Sequence, residues 1–198
     1  MFNFQHDVDS IKKEVDRVEK EEVSIPFDSN KFKTFAALPE NVTNDVIYQL
    51  ASLFDGNVNL HEPEDNKQIG PNTADKIKDS LAVIYIVQDG IPVAGATLLD
   101  PTTQNYKGII PKDYYELKSG ISLSGRILQE FFVVAPDKHN LGLAQELKGK
   151  LQTLAPKMFV IVPIDDKDTQ YGLLKNEYSL VAEFETDWET VPVQLWLN

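Results

Sequence analysis

The chain has 198 residues, of which 42% are hydrophobic, and carries a formal net charge of −12. This length and composition fit one domain of ordinary size with a full core, and they argue against two independent domains. The acidic balance argues against a nucleic-acid-binding protein, which needs clustered Lys and Arg. The sequence contains no Cys, which excludes disulfides, a thiol nucleophile and thiolate metal sites, and with only three His we expect no metal centre.

The first residues of the chain show no targeting signal. They lack the basic start and the apolar core of a signal peptide, and no apolar run in the sequence approaches the roughly 20 residues of a membrane-spanning helix. We therefore expect a cytoplasmic protein without a membrane partner.

Residues 7–22 are typical of an amphipathic helix, because apolar residues recur at spacings of three and four with charged residues between them. These apolar residues are Val8, Ile11, Val15 and Val18. We predict an N-terminal helical extension over residues 1–24, followed by the main domain over residues 25–198. The narrow apolar stripe either caps this domain or provides an interface for a partner or a second copy, so a homodimer is one candidate assembly.

Three strands are predicted in the first half of the main domain. Alternation over Lys31–Leu38 favours the first strand. Leu81–Val87 and Ile91–Leu99 are apolar runs, and the Asp89-Gly90 pair lies between them. An Asp-Gly pair between two such runs is a strong signal for a hairpin.

Helices are predicted between the first strand and the hairpin. Asn41 or Thr43 caps a helix that extends to about Phe54. Val58–Lys78 is polar and contains two Pro, so we expect mostly loop with a short helix from Thr73.

The segment Asp100–Ser124 is rich in Tyr, Lys and Pro and is longer than a tight connection requires. Two interpretations stay open. It forms a lid or a wall of an acceptor pocket, or it is a surface excursion packed by its own aromatic residues.

The stretch from Phe131 to Ala144 carries the strongest functional signal. An apolar strand ends at Pro136, and a helix begins after a turn with small residues at Gly142 and Ala144. Small residues let the backbone approach a ligand closely, and the first turn of a helix presents unpaired N–H groups at the positive end of its dipole. We predict a cradle for a pyrophosphate. A Walker loop and a dinucleotide fingerprint fit worse, because Gly-Lys-Ser/Thr and a further Gly are missing.

The order and spacing of these residues resemble motif A of the GCN5-related N-acetyltransferase (GNAT) superfamily. The pattern is Val-x-Pro, then a basic residue or Gln, two other residues, Gly, one residue, and Gly or Ala. The matching residues are Val134, Pro136, His139, Gly142 and Ala144.

Further features extend this resemblance along the chain. The family places a hairpin with a Val-x-Gly phrase, here Val93 to Gly95, before the motif A strand, and its helix carries a Leu that Leu147 matches. The resemblance covers roughly Lys31–Asn198. It implies a mixed α/β (α+β) fold, in which a mostly antiparallel twisted sheet has a central, splayed pair of parallel strands and flanking helices.

Five elements are predicted after the small-residue turn. They are a helix over Leu141–Leu154, a strand over Met158–Val162, a short helix over Lys167–Asn176, and strands over Tyr178–Thr186 and Val191–Leu197. Ahead of the short helix, the carboxylates of Asp165, Asp166 and Asp168 either bind a cationic amine or cap the helix.

The resemblance implies that acetyl-CoA is the co-substrate and is held mostly by backbone groups. Phe132 and Val134 would offer main-chain groups to the pantetheine arm. The family's usual Arg or Gln is His139 here, and a neutral imidazole is a weaker phosphate ligand than a guanidinium group. The residues expected at the cofactor are Phe132, Val134, His139, Asn140, Leu141, Gly142, Leu143 and Ala144.

Glu130 is the predicted general base, because strict alternation places it on one strand face with residues 128, 132 and 134. Some family members carry a base nearby, and their Glu aligns with Leu128. The alternative is that Glu130 is a structural or solvent-facing carboxylate.

The prediction of a general acid depends on a weaker match to the family. The family's acid is the Tyr of the phrase Tyr-x-Lys-x-Gly-Phe, and here Leu173 occupies its position while Glu177 occupies that of the Gly. Tyr171 lies two positions earlier, about 200° around a helix. The proton for the leaving thiolate therefore comes from Tyr171 or from water, or the chain no longer catalyses transfer.

The resemblance implies an N-acetyltransferase that moves an acetyl group from acetyl-CoA to an amine by direct attack in a ternary complex. The acceptor would be a small-molecule or peptide amine, and the acidic charge favours a cationic one. The alternative is a catalytically inactive acyl-CoA-binding or protein-interaction module on the same fold.

Overall fold

The computed structural model describes residues 26–58, 73–100, 123, 125–139, 141–185 and 192–198. The predicted N-terminal helix, the domain boundary at residue 25 and nearly all of the Asp100–Ser124 segment lie outside these ranges. The described residues fall into two compact units. The first lies within Ser24–Lys107 and Ile127–Pro156, and the second includes Lys157–Asn198 together with Arg126.

The first unit is built on four strands. In sheet order they are β1 (Lys33–Ala37), β2 (Ala82–Gln88), β3 (Ile91–Leu99) and β4 (Ile127–Val134). Each neighbouring pair is antiparallel. The predicted hairpin between β2 and β3 is confirmed, and both turn residues have positive φ, 53° at Asp89 and 84° at Gly90. Positive φ at both central residues is the geometry that matches the right-handed twist of a hairpin.

Three helices belong to the first unit. They are α1 (Asn44–Val58), α2 (Thr73–Lys78) and α3 (Leu143–Leu154). The Thr43 Oγ1 accepts a hydrogen bond from the N–H of Val46 at 3.5 Å, so Thr43 rather than Asn41 caps α1. The short helix predicted from Thr73 is confirmed.

Apolar side chains cover both faces of the four strands. On one face, α1 and α2 bury a cluster that includes Ile47, Leu50, Phe54, Ile77 and Val83. Strand alternation directs Ile84 and Ile86 of β2 to the other face, where both are also fully buried. There α3 contacts β2 and β3 through a helix face that buries every third or fourth residue, beginning at Leu143.

The described residues of the second unit form three strands and one helix. They are β5 (Met158–Pro163), α4 (Lys167–Lys175), β6 (Ser179–Phe184) and β7 (Val193–Leu197), with β7 antiparallel to both other strands. The Arg126 guanidinium donates to the carbonyl oxygens of Met158 and Asn198 at 3.2 and 3.1 Å, which fixes the end of β7 beside the start of β5. The elements predicted after the small-residue turn are confirmed, with boundaries that differ by at most two residues. No helix within the described ranges is both long enough and apolar enough to cross a membrane.

Gly95 in β3 allows α1 to approach the strand. A Cβ placed there would lie 2.8 Å from Leu50 Cδ2 and 3.0 Å from two ring carbons of Phe54, closer than carbon atoms normally come. Both contacting side chains are fully buried, so neither can move aside freely. The close packing of α1 on β3 therefore requires Gly at this position.

We predict that Gly95→Ala lowers the free energy of unfolding by about 1–3 kcal/mol, the usual cost of overpacking a core. Urea denaturation measures this change. Gly149→Ala is the matched control, since an added Cβ meets nothing within 4 Å in that exposed turn of α3. The control should raise stability by up to about 1 kcal/mol. Equal effects of the two substitutions would contradict the proposed close approach.

Candidate functional site

The loop after β4 has the geometry expected of an anion cradle. Pro136–Lys138 forms a single 3₁₀ turn, and the N–H of Ala135 donates to the carbonyl oxygen of Val93 at 2.8 Å. Gly142 then has φ of 73°, a left-handed conformation that favours Gly, and α3 begins at the next residue. The chain thus turns sharply from the strand end into the helix.

The first turn of α3 has no side-chain cap among the described residues. Gly142 occupies the N-cap position and has no side chain to accept from the helix N–H groups. The carbonyl oxygen of Gly142 accepts the first helical hydrogen bond, from the N–H of Glu146 at 3.1 Å. The N–H groups of Leu143, Ala144 and Gln145 therefore have no intrahelical partner and point toward the loop at the positive end of the dipole. This arrangement fits a phosphate group.

The imidazole of His139 is turned back onto the strand. Its Nε2 lies 3.1 Å from the carbonyl oxygen of Val134. A carbonyl oxygen only accepts, so Nε2 carries the proton in this contact. The side chain predicted as a phosphate ligand and the main-chain oxygen predicted as a pantetheine contact are thus hydrogen-bonded to each other. Either role would require this bond to open.

The other predicted cofactor residues surround the same loop. Phe132 and Val134 are partly exposed on β4, and Leu141 and Ala144 are partly exposed on either side of Gly142. The side chain of Leu143 is buried in the core, so this residue can offer only its backbone to a ligand. Asn140 lies outside the described residues. Leu147, which matches the Leu in the helix of the resembled family, is fully buried on the face of α3 that contacts the strands.

An open cleft of about 270 Å³ adjoins the loop through Lys138 and Leu141. Its other cationic residue is Lys31. Each of the two ammonium groups already contacts a carboxylate, at 3.6 Å for Lys31 with Asp28 and 2.9 Å for Lys138 with Asp137. The backbone cradle, rather than a free cation, is therefore the main anion-binding feature of this region.

Strand β4 contains a β-bulge beside Glu130. Ala96 of β3 pairs with Phe132 and Leu98 pairs with Gln129, so Glu130 and Phe131 together oppose Thr97. A bulge changes the direction in which the neighbouring side chains point, and bulges are common next to active sites. The Thr97 side chain is fully buried, and its Oγ1 has no hydrogen-bond partner in the part of the chain that the structure describes.

The bulge changes which residues share a strand face. Phe131 and Val133 pack against the α1–α2 cluster, and Glu130 contacts Lys76 of α2. Glu130 thus lies on the helix side together with Phe131, and the strict alternation that grouped it with Phe132 does not hold across the bulge. The sequence carries no signal for this irregularity.

Glu130 has a cationic partner that the sequence did not indicate. Its Oε1 lies 3.1 Å from Nζ of Lys76, and the two side chains are 17% and 34% exposed. Lys76 Nζ also lies 5.8 Å from the ring centroid of Phe131. The two charged residues are 54 positions apart in sequence, so only the fold brings them together.

Tyr171 lies in α4 of the second unit. Its hydroxyl is buried and makes no hydrogen bond to any described residue. A buried hydroxyl without a partner costs about 1–3 kcal/mol, which makes this group a candidate for a contact beyond the described residues.

The start of α4 is held firmly. The Asp166 carboxylate accepts from the N–H of Thr169 at 3.0 Å, so it caps the helix, as one of the two interpretations of the Asp cluster predicted. The fully buried amide of Gln170 donates to the carbonyl oxygens of Pro163 and Ile164 at 3.1 and 2.9 Å. These bonds fix the helix that carries Tyr171 against the end of β5.

The end of α4 departs from the pattern of the resembled family. Leu173 is buried in the core, and its carbonyl oxygen accepts from the N–H of Tyr178 at 3.0 Å, while the N–H of Glu177 donates to Leu174. This is a Schellman cap, in which the C′ residue is normally Gly. Glu177 occupies that position with φ of 65°. Burial raises the pKa of Tyr178 to about 12, so its phenol is a poor proton donor.

Across the described ranges, no three His, Asp or Glu side chains come together in a group that could hold a metal ion.

No protein-family model matches the sequence, and no curated protein matches it either. Solved structures do match. An acetyltransferase from Streptococcus agalactiae 2603 superposes with a TM-score of 0.60 at 10% identity, covering 85% of this chain and 98% of that one. A GNAT-family acetyltransferase from Bacillus cereus ATCC 10987 gives 0.53 at 14% identity, with 84% and 96% covered. Naa50 from Arabidopsis thaliana, in complex with the bisubstrate analogue CoA-Ac-MVNAL, gives 0.53 at 11% identity, with 83% and 97% covered.

At these identities the likeness establishes the fold. The predicted fold class is confirmed as a mixed α/β architecture of mostly antiparallel strands with flanking helices.

We predict that Glu177→Gly raises the free energy of unfolding by about 1 kcal/mol, because Gly adopts the left-handed conformation without the clash of a Cβ. Thermal or urea denaturation measures the change. Glu177→Ala removes the same carboxylate but keeps the Cβ, so it should give no comparable gain. If Gly and Ala stabilise equally, the charge of Glu177 and not its backbone conformation is responsible.

Proposed function

We propose that this chain, which has the fold of the GCN5-related N-acetyltransferases, transfers an acetyl group from acetyl-CoA to an amine by direct attack in a ternary complex. The observation that carries this proposal is the uncapped first turn of α3 behind Gly142, with its left-handed φ of 73°. Such a turn, placed directly after a strand, is suited to a pyrophosphate.

The backbone of the loop would hold the co-substrate. The N–H groups from Leu143 to Gln145 would bind the pyrophosphate, and the small side chain of Ala144 leaves room for close approach. Phe132 and Val134 would offer main-chain groups to the pantetheine arm, after the His139 side chain releases the Val134 carbonyl. His139 then becomes free to contact a phosphate oxygen.

Glu130 would act as the general base. An amine is mostly protonated near neutral pH and cannot attack a carbonyl until it loses that proton. The Glu130 carboxylate already contacts an ammonium group, that of Lys76, at 3.1 Å. This contact supports the position of Glu130 as one at which an ammonium group can lie beside the carboxylate.

Tyr171 would supply the proton for the departing thiolate of CoA. Its buried hydroxyl without a hydrogen-bond partner among the described residues fits a donor whose partner arrives with the substrate. The acceptor would be a primary amine on a small molecule or a peptide. The peptide-containing bisubstrate analogue bound to Naa50 supports the peptide class, and the net charge of −12 favours a cationic acceptor.

One observation favours a second function, an acyl-CoA-binding or protein-interaction module without catalysis. The position that corresponds to the family's Tyr is Leu173, and this side chain is buried in the core of its unit. In this case acetyl-CoA would bind and no amine would be acetylated.

We predict that acetyl-CoA binds with a micromolar dissociation constant, equivalent to about 8 kcal/mol, and that Ala144→Glu weakens binding at least about 10-fold. A carboxylate in the first turn of a helix is compatible with its dipole, so the variant should fold, but it repels phosphate. Isothermal titration calorimetry with acetyl-CoA and CoA measures both values.

Gln145→Glu is the matched control for this experiment. It adds the same charge one residue along, where the side chain is exposed. Its effect on affinity should be clearly smaller. If the wild-type protein binds neither acetyl-CoA nor CoA, the proposed function is wrong.

We predict that Glu130→Gln and Tyr171→Phe each lower kcat for amine acetylation by about 100-fold or more, the usual contribution of a general base or acid. Thiol release measured over a panel of primary amines gives the rates. The affinity for acetyl-CoA should stay within error of wild type, because neither side chain belongs to the phosphate cradle. Unchanged rates in both variants would remove these two residues from the mechanism.

A further inference from the structure

The amine of Lys76 occupies the position that the proposed reaction requires of an acceptor amine. Its Nζ lies 3.1 Å from Oε1 of Glu130, within the range of a direct proton transfer. The contact is charge-assisted and partly buried, which makes it stronger and better defined than a surface ion pair. The side chain keeps 34% of its surface exposed, so a reagent can reach it.

The backbone beneath Lys76 is held in place. Ala74 and Ile77, its neighbours on α2, are buried in the α1–α2 cluster. The Thr73 hydroxyl also donates to the carboxylate of Asp55 at the far end of α1. Any movement of the amine therefore comes from the flexible four-carbon stem of the side chain and not from the helix.

The surroundings of the amine suit its neutral form as well. Lys76 Nζ lies 5.8 Å from the ring centroid of Phe131, which itself stacks on Phe54 with centroids 4.6 Å apart. The ring stabilises the ammonium ion through a cation–π contact and offers an apolar surface after deprotonation. Glu130 and Phe132 both belong to β4, on either side of Phe131, so the carboxylate beside the amine and the proposed pantetheine contact belong to the same strand.

We propose that Lys76 is a modification site at which this protein acetylates itself. This inference rests on the proposed acetyltransferase function. Glu130 takes a proton from the Lys76 ammonium, and the amine nitrogen attacks the thioester carbonyl carbon of acetyl-CoA. A C–N bond forms, the C–S bond breaks, and the CoA thiolate takes a proton from Tyr171 or water. The products are N-acetyl-lysine at position 76 and free CoA.

Acetylation would change the site in a defined way. The side chain loses its positive charge and can no longer form the salt bridge with Glu130. The modification would therefore remove from the Glu130 carboxylate its contact with the ammonium group of the same chain.

The test is a time course of the purified full-length protein with acetyl-CoA, followed by intact mass and peptide mapping. We expect the mass of one acetyl group to appear at Lys76, with a rate constant that does not change on dilution of the protein. Lys76→Arg should abolish this product, and Glu130→Gln should slow it about 100-fold.

Lys78→Arg is the matched control. Lys78 lies on the same short helix, with its Nζ 5.5 Å from the ring centroid of Tyr48 and therefore also beside an aromatic ring. Loss of this Lys should leave acetylation at Lys76 unchanged. Within the wild-type protein, Lys78 should be modified at least about 100-fold more slowly than Lys76, the lower end of what a positioned base contributes.

Three outcomes would overturn the inference. If external amines are acetylated while Lys76 stays unmodified, the self-acetylation is wrong and the proposed function stands. If Lys76 reacts equally fast in Glu130→Gln or in urea-unfolded protein, the modification is a spontaneous reaction of acetyl-CoA. If calorimetry detects no acetyl-CoA binding and no acetyl group appears, the proposed function and the inference both fail.

Discussion

The missing side chain of Gly95 determines how closely α1 can pack on β3, and the candidate base depends on that packing. The open space is filled by Leu50 and Phe54, and the Phe54 ring stacks on Phe131 at the bulge of β4. The last turns of α1 also carry Asp55, which holds the start of α2 and thereby places Lys76 beside the carboxylate of β4. A change of a few tenths of an ångström at this strand would therefore be transmitted to the charged pair.

In the proposed reaction, binding of the co-substrate and transfer of protons depend on different kinds of groups. The proposed co-substrate site would rely on backbone N–H groups at the start of α3 and on the positive φ of Gly142, which few other residues adopt. Such a site tolerates wide variation in side chains, which agrees with identities of only 10–14% to proteins of the same fold. The proposed proton-transfer groups, Glu130 and Tyr171, are side chains with different neighbours. One has a cationic partner, and the other has a buried hydroxyl without a hydrogen bond to any described residue.

Much of the fold could be predicted because its signals are local. The Asp89-Gly90 turn, the cap at Thr43, the helix after Gly142 and the cap at Asp166 each depend on a few neighbouring residues. Their preferences for turns and helix ends are properties of single side chains. The bulge could not be predicted, since its only cause is the pairing of β4 with a strand from an earlier part of the chain. The grouping of Glu130 with Phe132 by alternation was wrong for this reason.

The sequence by itself determined the elements, their order and the small-residue turn that suggests a phosphate site, because periodicity and turn chemistry act over short distances. Only the tertiary structure decided which side chains meet. It brought Lys76 to Glu130, turned His139 onto the Val134 carbonyl and left the Tyr171 hydroxyl buried without a described partner. These contacts depend on packing between distant segments, and a single sequence carries no record of which distant residues will touch.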